Sequence, residues 1–222
     1  MWFYAFPIAF FPIFCWGYIS LKTLDYRHSD QIKQIMADTA ADLNRDIARF
    51  RSWVYGSRMH EANLTFHLGS RLKQAGYHFY MEVPVRRNGK KGKAQAFDAL
   101  ALDPQTRSGF LVESKYLFSG SVTKLNGDLA GLSSLRHIDE WSDLKDYKIS
   151  TAMILLHTFD KNIASWWAKD YQNDPAPQQK RVPHAWQHLR KVLLKGHSGT
   201  HLLGRWDSDG SSLWMLWALF PL

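Results

Sequence analysis

The sequence predicts a mixed α/β fold: a helix leads into a three-stranded meander, then a helix and a further strand, with extra helices and a C-terminal hairpin. Three observations predict it. Leucines 64, 68 and 72 mark one face of a helix, and short apolar runs follow it, separated by the turn-forming stretches 86–93 and 103–109. The run Ile149-Ser150-Thr151-Ala152-Met153-Ile154-Leu155-Leu156 is apolar enough for a strand in the middle of a sheet. At 222 residues, 45% hydrophobic and 22% charged, the chain can bury a substantial core as one domain, so disorder is not its default state.

Residues 1–21 carry no charged side chain and are dominated by Trp, Phe, Tyr, Ile and Ala. That length can span a bilayer, so a membrane anchor is expected, although Pro7 and Pro12 would kink it and the aromatics suit the interfacial zones; an apolar arm packed on the domain and a misplaced start codon are the alternatives. A signal peptide fits less well, because no Lys or Arg precedes the apolar run and no clear small-residue cleavage site follows it. Lys22 and Arg27, just after the run, would place the globular part on the cytoplasmic side of an inner membrane. The single cysteine, Cys15, excludes an intrachain disulfide and fits a reducing compartment. Residues 22–56 read as a linking helix capped by Ser29. Ile32, Ile35, Met36, Ala40, Leu43, Ile47, Phe50 and Val54 form its apolar stripe, with Asp42, Arg45, Asp46 and Arg49 on the solvated side.

Residues 57–222 form the main domain. A helix over 57–75 ends at Gly76 and carries Glu61 three positions before Leu64, on the leucine face. A Glu there is favourable at the positive end of a helix, and by facing inward it can also meet the strands that follow. Strand 77–85 runs into a hairpin tip with five basic residues, Arg86, Arg87, Lys90, Lys91 and Lys93, which is either a phosphate-gripping loop or a solvated turn. In the next two strands, 96–102 and 109–117, alternation puts Asp98 with Leu100 and Leu102, and Glu113 and Lys115 with Leu111 and Leu117. Unpaired charges on such faces are costly, and a bound cation is one remedy.

A helix from Ser121 or Thr123 to residue 139 then buries Leu125, Leu129, Leu132, Leu135 and Ile138. Gly127 and Gly131 weaken it, and their expected use is close packing against the sheet. Lys124 and Asp128 lie within reach of the mouth of the acidic cluster, with a surface position expected for both. Strand 148–159 precedes a Trp-rich helix over 163–171, a Pro-containing loop to 183 and a helix over 184–195. Residues 201–206 and 213–220, joined at Asp207-Ser208-Asp209-Gly210, make the closing hairpin.

The order of these elements, with Asp98, fourteen residues and then Glu113-Ser114-Lys115, resembles the PD-(D/E)xK nuclease superfamily of restriction-endonuclease-like fold. The likeness covers residues 57–159, and a closer resemblance is to nuclease-related domains, in which a Glu helix precedes a strand Asp and a Glu-x-Lys strand. Phe97 stands where the family name has Pro, a departure common in the superfamily. The resemblance implies that Asp98 and Glu113 hold a divalent ion, Mg2+ or Mn2+, with the Ser114 backbone carbonyl. Glu61 would complete the acidic cluster, and Lys115 would position or polarise the attacking water. It further implies metal-dependent hydrolysis of phosphodiester bonds in nucleic acid, DNA favoured over RNA. The catalytic residues would be Glu61, Asp98, Glu113 and Lys115, with Arg86, Arg87, Lys90, Lys91, Lys93 and Lys124 along the nucleic acid. Duplex cleavage by one active site per chain would favour a homodimer.

A formal charge of +8 and a pI near 9.5 independently suggest an anionic partner, nucleic acid or acidic lipid, against the alternative of a merely basic surface. Three other readings stand beside the nuclease. The chain is a nuclease-like module that binds without cutting, a membrane-associated interaction protein whose charge serves acidic lipid, or a fold whose four charged residues form only an internal ion-pair network. His184 and His188, like His197 and His201, are four apart, as an all-His zinc site would need, but the His-Glu-x-x-His arrangement is absent and ordinary surface histidines account for them. Trp166, Trp167 and Trp186 suit either base stacking or core packing, and ten tryptophans in a sheet-based fold favour the core.

Overall fold

A computed structural model describes residues 26–49, 59–85, 95–133, 144–169, 171–172, 175, 183–205 and 211–222. Within them the chain runs α1 (Tyr26–Arg49), α2 (Glu61–Gln74), β1 (His78–Val85), β2 (Gln95–Asp103), β3 (Ser108–Tyr116) and α3 (Val122–Ser133), then β4 (Lys148–Thr158), α4 (Lys161–Ala168), α5 (Pro183–Leu193), β5 (His197–Arg205) and β6 (Ser212–Pro221). The six strands form one mixed sheet in the order β1-β2-β3-β4-β6-β5. β1, β2 and β3 make the antiparallel meander, β4 joins β3 in parallel after the α3 crossover, and the C-terminal hairpin adds β6 antiparallel to β4 with β5 outside it. The chain is therefore mixed α/β, and β4, flanked on both edges and covered on both faces, has the near-continuous apolar run such a strand requires.

Helices cover both faces. On one, Ile32, Ile35, Met36, Leu43 and Ile47 of α1 and Leu64, Leu68 and Leu72 of α2 pack with Ala99, Ala101, Phe110, Val112, Met153 and Leu155 of the sheet. On the other, Leu125, Leu129 and Leu132 of α3, Trp166 and Trp167 of α4 and Trp186 of α5 pack on Leu100, Leu111, Leu117, Ile154 and Leu156. All three tryptophans are buried, so they are core residues and cannot stack on bases. α1 is built into the same core as α2 and the sheet. Asp42 joins the two helices by accepting both Nε and Nη2 of Arg71, at 2.5 and 2.7 Å, and pairs with Arg45 on its own helix, while Asp46 lies 3.2 Å from His67 of α2. Asp42, expected on the solvated side, thus turns toward α2, a contact that the period of a single helix does not contain, while Asp46 stays exposed as expected.

Several local expectations are corrected. Ser29 lies inside α1, its hydroxyl buried without a hydrogen bond, so it does not cap the helix. α2 begins at Glu61, not near residue 57, because the His60 side chain accepts the Ala62 N–H and acts as the N-cap. Gly76 ends it at φ 92°. Gly127 is exposed, and a Cβ there would meet nothing within 4 Å, so it serves no close packing.

Other expectations fall outside the described residues. They are the apolar segment 1–21, the basic tip with Arg86, Arg87, Lys90, Lys91 and Lys93, the helix beyond residue 133 and the turn 207–210. Among the described residues no helix is long and apolar enough to cross a membrane.

Candidate active site

β2 and β3 pair from Asp103–Ser108 as far as Ala99–Val112, and there their ladder stops, although β3 continues to Tyr116 beside β4. The N–H groups of Ser114 and Tyr116 point to the side that β2 has left. Two carboxylates take the strand's place: Asp98 Oδ2 accepts the Ser114 N–H at 2.6 Å, and Glu61 Oε1 accepts the Tyr116 N–H at 2.8 Å. Both are charge-assisted bonds to backbone groups that would otherwise have lost their partners.

Asp98 reaches this edge because β2 is irregular there. Phe97 packs in the α3-side core and Ala99 in the α1/α2-side core, whereas an unbroken strand would put both on one face. Opposite the break, between the pairs Met81–Ala99 and Val83–Phe97, Glu82 adopts a left-handed φ of 52°. Glu61 arrives from the first turn of α2. One turn on, Thr65 shares a buried hydrogen bond of 2.7 Å with the Ser114 hydroxyl and so fixes α2 on the same stretch of β3. Thr65→Val is expected to destabilise the protein by about 1–3 kcal/mol by leaving Ser114 unpaired, and adding Ser114→Ala to recover most of that loss. Urea denaturation of the full cycle checks it, and strictly additive losses would count against the pairing.

Glu113 and Lys115 project from the other face of β3, with Leu111 and Leu117. Lys115 Nζ lies 2.7 Å from Glu113 Oε1 and 3.4 Å from Asp128 Oδ2 on α3. Asp128 therefore belongs to the cluster and not to the surface, and its Oδ2 is buried with no hydrogen bond of good geometry. Lys124, by contrast, is exposed. Burial pushes the Glu113 carboxyl up to about 7; the Lys115 hydrogen bond opposes this, and Asp98 and Asp128 reinforce it. Burial also raises Asp98, against the Ser114 N–H and Lys115 and with help from Glu61 and Asp128. On Lys115 burial works to lower the ammonium, but Glu113, Asp128 and Glu61 outweigh it and raise it, so the lysine stays charged.

The cluster thus sets Glu61, Asp98, Glu113 and Asp128 around Lys115, a surplus of carboxylates. Their hard oxygen donors suit Mg2+ or Mn2+. As placed, Glu113 faces Lys115 and Asp98 faces a backbone N–H, and among the described residues no three Asp, Glu, His or Cys side chains are grouped to hold a metal ion. The four histidines weighed for zinc do not form such a group either. His184 and His188 are exposed, while His201 lies 3.4 Å from the Trp217 indole nitrogen.

Three residues beside the cluster, Thr65, Asp128 and His157, were missed or misplaced by sequence. Asp128 falls at i+3 from Leu125 and beside Leu129, on the buried face of α3, a position that could have revealed it. Nothing in the sequence marks Thr65. His157, fully buried at the end of β4, stacks on Tyr116, and burial lowers its imidazole to about 4, so it is neutral. No family model matches the chain, and neither a curated protein nor a solved structure matches it.

Proposed function

We propose that this protein is a metal-dependent nuclease with a restriction-endonuclease-like core, hydrolysing phosphodiester bonds of nucleic acid, DNA in preference to RNA. One observation carries the reading. Glu61, Asp98, Glu113 and Lys115, from three separate elements, meet where β2 leaves β3, and they carry more negative charge than Lys115 offsets. Asp98, Glu113 and the Ser114 carbonyl would hold the ion, with Glu61 beside them. By strand geometry that carbonyl leaves β3 on the same edge as the Ser114 N–H. The chemistry such an ion supplies is neutralisation of the scissile phosphate and acidification of a bound water.

The residues of the chain do the rest. Lys115, kept charged by Glu113 and held from the α3 side by Asp128, orients the attacking water and offsets negative charge that grows on the phosphate. Glu61 and Asp98 keep the β3 edge fixed through its backbone, so the reacting groups need little reorganisation. The basic tip at 86–93 supplies sequence-independent affinity for phosphates, and the segment 1–21 tethers the domain to a membrane.

A second reading, a nuclease-like module that binds without cutting, is favoured by the engagement of Glu113 with Lys115 at 2.7 Å in place of a grouped metal site. Incubating the full chain with labelled single- and double-stranded DNA and RNA, in Mg2+ or Mn2+ and in EDTA, separates the two. Cleavage that needs the metal and falls by about 10^3-fold in Asp98→Asn supports the nuclease. Salt-sensitive binding without cleavage in any metal would establish the binding module instead.

A further inference from the structure

Beyond the carboxylates, the end of β3 carries a row of aromatic rings that the proposed chemistry does not use. His157 is fully buried; Tyr116 lies on it with ring centroids 5.0 Å apart and planes tilted by 32°. Phe118 lies on Tyr116 at 5.7 Å and 34°, and Phe159 meets Tyr116 edge-on at 6.5 Å. The row runs from a buried imidazole to Phe118, which is 47% exposed. A single exposed aromatic needs no explanation, but this one ends an ordered stack.

Phe118 is also held in place. The Ser121 hydroxyl accepts its N–H at 3.0 Å and donates to its carbonyl at 2.9 Å, and Gly120 lies against the ring edge, where an added Cβ would stand 3.0 Å from Cε2. Ordering is therefore built into the fold and would not have to be supplied on binding. The position matters as well. Tyr116 is the residue whose N–H Glu61 accepts; its ring packs with His157 and Phe159 on the α1/α2 side of the sheet, opposite the face of Glu113 and Lys115, so the row meets the cluster around the open β3 edge, with Phe118 just past the end of the strand.

We propose that Phe118, backed by Tyr116 and His157, is a stacking subsite for an unpaired nucleobase next to the cleavage site, so the substrate is single-stranded nucleic acid or a locally opened duplex. The inference rests on the nuclease reading and names its substrate class. Every base offers a π-face, so the contact selects unpaired bases without selecting sequence. In an intact duplex those faces are already stacked on their neighbours, and a base reaches the ring only at an end or after extrusion. The chain's +8 charge supplies the general attraction for the backbone that such stacking complements.

The test uses the full chain carrying Glu113→Gln, with EDTA present so that no metal-dependent cleavage competes with binding. Its binding to a fluorescein-labelled single strand and to the blunt-ended duplex of that strand with its complement is measured at several salt concentrations. Tighter binding of the single strand is expected. Adding Phe118→Ala should weaken single-strand binding by roughly 5- to 100-fold and leave duplex binding unchanged. Phe118→Trp should retain the preference. Equal affinity for both oligonucleotides, or a Phe118→Ala variant that binds the single strand as before, would overturn the subsite while leaving the nuclease standing. Absence of binding to either oligonucleotide would overturn both.

Discussion

Glu113→Gln is expected to lower metal-dependent cleavage by about 10^3-fold or more, while the metal-free protein at pH 8 keeps or gains stability. The two effects have one origin. The Glu113 carboxyl is buried among Asp98 and Asp128, and its value stands at about 7 against an ordinary 4.5. A folded value above the unfolded one means that the folded protein prefers the protonated form. The contribution of this group to stability is therefore fully present below about pH 4.5 and is lost as pH rises through 7. Glutamine stays neutral and removes that slope, and it also removes the donor charge that the proposed ion would need. His67, His157 and His201, all lowered mainly by burial, act in the opposite sense below pH 6.5, so the readout is the difference between variant and wild type. Thermal melts at pH 5 and pH 8, with EDTA and with Mg2+, supply it. Mg2+ should raise the wild-type melting temperature at pH 8 and leave Glu113→Gln unmoved. A variant that keeps its activity, or that is equally destabilised at both pH values, would show Glu113 to be a structural partner of Lys115 only.

Lys115→Met is expected to cost about 3–5 kcal/mol at pH 8 without metal, because it strands Glu113 and Asp128 in a site where the lysine is their ion-pair partner. With Glu113 8% and Lys115 18% exposed, solvent offers little relief. Two rescues follow from the same physics. Lowering the pH to 5 protonates Glu113, and Asp128→Asn removes a second carboxylate, so either should restore part of the loss. Mg2+ should restore another part by replacing the lost positive charge. Urea denaturation under the four conditions measures this, and a loss independent of pH and of Mg2+ would mean that only the packing of the lysine stem was removed. The pair of experiments also bears on the internal ion-pair network. That alternative predicts the stability changes without cleavage and without any response to Mg2+.

Much of this protein was legible in the sequence for reasons that are local. Leu64, Leu68 and Leu72 repeat with the helical period, and all three are fully buried. The three runs after them alternate or stay apolar and form the meander, and the run from Ile149 to Leu156 became the strand at the sheet's centre. Glu113 and Lys115 share a face with Leu111 and Leu117 because a strand allows nothing else at that spacing. What sequence could not decide are the relations that cross elements. Alternation assigns Asp98 a face, yet its carboxylate serves the β3 edge, because the meander breaks opposite Glu82 and β2 stops pairing at Ala99. Glu61 reads as a first-turn charge until α2 is laid against Tyr116, and Asp128 reads as a surface residue until α3 is laid against Lys115. Periodicity reports which side of an element meets the core. Which backbone group or ammonium waits there depends on where neighbouring elements end, and that is settled only when the chain is packed.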